Sequence, residues 1–90
     1  MKTLYTSVMT TDTATCKITF VDDVPTTMAQ RIEEIADPDA VEVISTEEEG
    51  NVLRVRVKGY GASISVFEEQ IREEELDKYP NSTLEWEDFE

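Results

Sequence analysis

Val41-Glu42-Val43-Ile44-Ser45-Thr46-Glu47-Glu48-Glu49-Gly50-Asn51-Val52-Leu53-Arg54-Val55-Arg56-Val57-Lys58 is the stretch whose reading decides the fold. Val41 and Val43 on one side, and Leu53, Val55 and Val57 on the other, recur at every second position. That is the period at which side chains return to one face of a β-strand. The pattern predicts strands over 40–46 and 52–58 joined by the five-residue loop Glu47-Glu48-Glu49-Gly50-Asn51, with glycine and asparagine where a positive φ is needed. Setting Thr46 opposite Val52 places Val43 against Val55, Val41 against Val57, and Glu42 beside Arg56 on the other face. Apolar and charged pairs are then satisfied by one register.

Upstream, residues 15–21 read as a further strand, with Cys16, Ile18 and Phe20 on one face and Thr15, Lys17 and Thr19 on the other. Residues 2–10, rich in Thr, Val and Tyr, predict its hairpin partner across the polar turn at 10–14. Asp22-Asp23-Val24-Pro25 is expected to open a helix, since acids suit the positive end of the dipole and proline suits the first helical positions. Met28, Ile32, Ile35 and Ala36 make its apolar stripe, and Asp37-Pro38 ends it.

Downstream, residues 62–66 alternate like a strand, yet Ile64, Phe67 and Ile71 also share a helix face. The strong helix formers from Glu68 onward favour a helix at about 64–78, broken by Pro80-Asn81-Ser82. The tail from Leu84 to Glu90 reads as an edge strand or an ordered extension. The expectation is one α+β domain over 1–90: an antiparallel sheet with two helices on one face, in the order ββαββα, with a further C-terminal edge strand as an option.

Composition limits the chemistry. Charged residues make up 32% of the chain and the net charge is −13, a balance that would permit disorder if the apolar residues lacked periodicity. The sole cysteine, Cys16, allows no internal disulfide. No apolar leader or membrane-length stretch is visible, and acidic lipid would repel the chain, so a cytoplasmic protein is expected. There is no histidine, which removes the commonest general base and zinc ligand. Cys16 alternates inward with Ile18 and Phe20 as a small core residue would. Lys58-Gly59-Tyr60-Gly61 completes no phosphate-binding or dinucleotide motif. Neither Glu47-Glu48-Glu49 nor Asp37-Pro38-Asp39 has calcium-loop spacing. The reading is of a protein that is no enzyme and has no cofactor or metal.

The charge is uneven. Residues 68–90 hold ten acids and two bases, net −8. Glu68, Glu69, Glu73, Glu74, Glu75, Asp77, Glu85, Glu87 and Asp88, with the aromatics Trp86 and Phe89 among them, are therefore the expected partner-binding residues. Aromatics anchor while the surrounding charges steer; the equal alternative is that Leu84 and Trp86 simply close the core. Arg54, Arg56 and Lys58 alternate along one strand face. They read as members of a cross-strand salt-bridge ladder rather than a nucleic-acid stripe, because the surrounding field repels phosphates. Tyr5 and Met9 make the first strand apolar on both faces, which suits a central strand or a homodimer interface.

In length, acidity and lack of catalytic residues the chain resembles, as a class profile, the small inhibitors that phages carry against host nucleases, including anti-CRISPR and anti-restriction proteins. That resemblance implies a basic nucleic-acid-binding protein as partner, no direct nucleic-acid contact, and action in the host cytoplasm if the chain is phage-encoded. The alternative is a structural or adaptor subunit working through sheet-edge and aromatic contacts. The element order is also similar to small dimeric subunits of tRNA-modifying complexes, although Ser63-Ile64-Ser65-Val66-Phe67 departs from their helix residues. A halophile's solubility charge is a third reading, weakened by the excess of Glu over Asp.

Overall fold

A computed structural model describes residues 11–37 and 39–89. Strand β1 (Asp12–Thr19) leads through a bend to helix α1 (Met28–Ile35). The hairpin β2 (Val41–Glu49) and β3 (Val52–Gly59) follows, then helix α2 (Gly61–Glu74), a 3-10 turn (Leu76–Lys78) and strand β4 (Thr83–Phe89). All strand pairs are antiparallel and the sheet order is β2-β3-β1-β4. The α+β class stands, but among the described residues the order is βαββαβ rather than ββαββα. The strand expected over 2–10, with its apolar Tyr5 and Met9 and the homodimer it would mediate, lies outside the described residues. The tail, by contrast, is a strand and forms one edge of the sheet.

The core lies on one face of the sheet. Cys16 and Ile18 of β1, Leu53, Val55 and Val57 of β3, and Leu84 of β4 pack with Met28 and Ile32 of α1 and Ile64, Phe67 and Ile71 of α2. Each set follows the period of its element, two for strands and three or four for helices, so the sequence pattern maps directly onto burial. The ambiguity at 62–66 resolves to helix, because Ile64 and Phe67 are both buried and Val66 between them points out, 54% exposed. A strand would have placed Ile64 and Val66 on the same face.

The hairpin exists but its register differs from the expected one. Strand pairing continues through Glu49↔Val52, so Gly50 and Asn51 alone make the turn. Gly50 has φ 63°, and among the described residues no non-glycine has a positive φ; positive φ at only the first central residue is the pattern of a II′ turn, which suits strand twist. The turn is docked on the chain after β1: the Asn51 side-chain amide donates to the Phe20 carbonyl at 2.7 Å and the Phe20 N–H to the Asn51 carbonyl at 2.9 Å. Val41 therefore faces Gly59, Val43 faces Val57, and Glu42 faces Lys58 rather than Arg56. A bulge between Val43 and Ser45 then inserts one residue and reverses the strand's parity, so that Glu47 comes opposite Arg54.

The first helix also begins later than expected. Its first residue is Met28, whose N–H bonds the Pro25 carbonyl at 3.0 Å, and its first turn contains no acid. Asp22, Asp23 and Pro25 thus form the approach to the helix rather than its opening turn. Its end agrees with the sequence signal: Ala36 is already extended, and the Asp37 carbonyl receives the N–H groups of Ala40 and Val41.

Gly59 is buried at the point where β3 passes closest to the start of β2. A Cβ there would lie 2.5 Å from the Ala40 carbonyl oxygen and 3.2 Å from the Val41 Cα, both backbone atoms that cannot rotate away. Gly59→Ala is expected to destabilise the fold by about 1–3 kcal/mol, as overpacking does. Gly61→Ala, whose Cβ would meet only the Asp12 carboxylate at 3.5 Å, should be neutral or stabilising through helix propensity. Urea midpoints at unchanged m-value compare the two; equal midpoints would refute the close approach.

Candidate partner-binding surface

Helix α2 carries Ile64, Phe67 and Ile71 inward, which forces the residues between them toward solvent or toward the flanks. The expected acidic surface consequently divides into three groups. Glu69, Glu73 and Glu74 of α2 and Asp77 of the 3-10 turn are exposed. Among the described residues, the side chains of these four make neither a hydrogen bond nor an ion pair.

The second group is turned to structural use. The Trp86 indole N–H donates to Glu68 Oε1 at 2.6 Å, and Arg72 Nε donates to Glu68 Oε2 at 2.9 Å. Arg72 Nη2 donates to the Leu84 carbonyl at 3.2 Å. One carboxylate on α2 thereby fastens edge strand β4 to the helix layer, and Trp86 lies half-buried against the core. Partial burial of Glu68 by itself raises its pKa, but the hydrogen bonds from Trp86 and Arg72 and the Arg72 charge together outweigh this and leave it below the usual glutamate value. Glu75 is only 7% exposed. Neither Glu68 nor Glu75 belongs to an open acidic face.

The third group lies across the sheet from the helices. Glu87 on β4 reaches over β1 to pair with Arg54 Nε on β3 at 3.0 Å, and Glu85 stands opposite Lys17 in the β1–β4 register. Asp88 and Phe89 continue the backbone of β4; their side chains are outside what is described. Arg54, Arg56 and Lys58 alternate away from the core, as the strand period required. Arg56 Nη1 donates to Thr15 Oγ1 at 3.3 Å, and Lys58 is placed opposite Glu42. The basic strand face is thus in part a cross-strand ladder.

Cys16 is fully buried, and burial pushes its thiol up to about 12, with the Glu68 carboxylate adding to the rise and Arg72 opposing it. A thiol so protonated and sealed is a poor nucleophile at neutral pH. The Asp37 carboxylate accepts the Asp39 N–H at 3.0 Å, which gives it a role in the turn after α1. Among the described residues, no helix is long and apolar enough to cross a membrane.

One feature carried no sequence signal beyond a single misplaced valine. A groove of about 300 Å³ runs between the turn after α1 and the first half of α2, lined by Asp37, Ala40, Val41, Ala62, Val66 and Gln70, among others. Val66 is the side chain that breaks the polar outer row of α2 and forms part of this groove.

The chain matches no protein-family model, and no curated protein or solved structure is significantly similar to it.

Proposed function

We propose that the protein binds the basic, nucleic-acid-binding surface of another protein, a nuclease or similar partner, and occludes it. The observation that carries this reading is the row Glu69, Glu73, Glu74 and Asp77, four exposed carboxylates that pair with no cation among the described residues, on one end of the helical layer. Their charge is uncommitted, so it is available to a partner, and a directed acidic field accelerates encounter with a basic surface. Arg72, the base within the same helix, is otherwise engaged, held by Glu68 and the Leu84 carbonyl; Lys78 follows Asp77 in the 3-10 turn but pairs with none of the four. The action proposed is that of a nucleic-acid-mimic inhibitor of the anti-CRISPR or anti-restriction kind.

The adaptor reading draws support from one place only. Among the described residues strand β2 is a sheet edge, and Ile44 at its bulge is exposed. The aromatic part of that reading is weaker, because Trp86 is used within the fold.

The test is affinity capture of the partner from the source cell, followed by binding kinetics against ionic strength. Converting Glu69, Glu73, Glu74 and Asp77 to lysine changes net charge from −13 to −5 without touching the Glu68 cluster. Association should slow by one to three orders of magnitude at low salt, and competition with nucleic acid should disappear. A reversed variant that binds as fast as the parent, and still displaces nucleic acid, sinks the proposal.

A further inference from the structure

The groove beside Val66 gives the acidic surface an apolar component, and the inference drawn from it rests on the reading just proposed. Ala62, Val66 and Gln70 line the groove from α2 at intervals of four residues, so they form one row along the helix. The same row continues, three and four residues on, into Glu73 and Glu74, with Glu69 beside it. The opposite wall, from the turn after α1, supplies Ala40, Val41 and the carboxyl-bearing Asp37. Among the described residues, no lysine or arginine lines the groove. Arg72, the only base on α2, is turned to the β4 flank by Glu68 and the Leu84 carbonyl. An apolar slot therefore opens onto carboxylates at both its wall and its far end.

Such a site complements one kind of occupant. We propose that the groove receives an apolar side chain from a lysine- or arginine-rich segment of the partner protein, with the flanking cations meeting Asp37, Glu69, Glu73 and Glu74. The apolar insertion supplies affinity that charge alone lacks and selects polypeptide over other cationic ligands. Val66, more than half exposed in the free protein, is the contact that loses most water on binding.

Three probes test this by amide chemical-shift mapping and titration: a short lysine-rich peptide with a central leucine, oligolysine of equal length, and a glutamate-rich leucine peptide. The leucine-bearing basic peptide should move the amides of Ala40, Ala62, Val66 and Gln70, and bind roughly tenfold more tightly than oligolysine, the factor expected for burying part of one aliphatic side chain. Oligolysine should move only the acidic end of α2, and the acidic peptide nothing. Val66→Lys, at an exposed position that tolerates it, should erase the difference between the two basic peptides. Equal affinities, shifts centred elsewhere, or an unchanged difference in Val66→Lys would each overturn the groove proposal. In those cases, salt-sensitive binding of oligolysine that is lost on reversing Glu69, Glu73, Glu74 and Asp77 would leave the wider acidic-surface reading intact. Preferential binding of the leucine peptide that survives that reversal would overturn both.

Discussion

Phe67→Ala is expected to cost about 3–5 kcal/mol, the range for removing a buried phenylalanine. The residue is 2% exposed and among the largest fully or nearly fully buried side chains, at the centre of the helix that packs on β3 and β2. Truncation leaves a cavity between elements that cannot both move, since the sheet is fixed by its hydrogen bonds and the helix by Ile64 and Ile71 on either side. A domain of this size is stable by only some 5–15 kcal/mol, so the variant should be close to unfolding near room temperature. Val66→Ala, one residue away and exposed, should stay within about 0.5 kcal/mol of the parent. Chemical denaturation of the pair tests the helical assignment of 62–66 directly. Comparable losses at both positions would mean that Val66 is not on the outer side of a helix.

Glu68→Ala should lower stability by about 2–3 kcal/mol, while Glu69→Ala should change it by less than about 0.5 kcal/mol. The difference arises because the Glu68 carboxylate accepts from both Trp86 and Arg72. Its loss leaves the indole N–H without that acceptor and frees Arg72 from the helix side. Trp86 is the only tryptophan, so its fluorescence reports the release of β4 as well as the global transition. The pH dependence has a definite sign. The Glu68 pKa is depressed in the folded protein from the ordinary 4.5, so the folded state binds that proton less readily than the unfolded chain. The resulting stability is present above about pH 4.5 and is lost as pH falls through the folded-state value. Glu68→Gln keeps an acceptor for Trp86 but removes the charge, so the gap between parent and this variant should close on acidification. Total stability follows a different course, because protonating other carboxylates relieves the self-repulsion of a −13 chain. A gap that persisted unchanged well below that pH would refute the role of the Glu68 charge.

The contrast between Glu68 and Glu69 shows where sequence reasoning stops. Both are glutamates in one helix, and nothing local distinguishes them. Their difference comes from Trp86, 18 residues away, which reaches Glu68 only because β4 adds to β1 as the edge of the sheet. Glu87 is a second case: its partner Arg54 is 33 residues distant and lies two strands over. The open acidic surface is consequently smaller than the run of acids in residues 68–90 implied. The hairpin register failed for a related reason. Valine at every second position accepts any register shifted by two, and the choice was made by the left-handed Gly50 and the bulge after Val43.

The periodic residues Cys16, Ile18, Leu53, Val55, Val57, Met28, Ile32, Ile64, Phe67 and Ile71 are buried as their spacing predicts, because burial of an element's face is encoded within a few residues of chain. Ile35 and Ala36 are only partly buried, and Ala14 and Thr15, expected in a turn and on the outer face, are buried in β1 instead. The stretch 41–58 was likewise recognisable as a hairpin from its own pattern. The sequence alone also determined the charge and its concentration toward the C-terminus. Only the tertiary structure decided which acids are spent on holding β4 in place, which remain available to a partner, and that an apolar groove lies beside them. Those outcomes depend on strand order and on the packing of helix against sheet edge, contacts between distant segments that local periodicity does not specify.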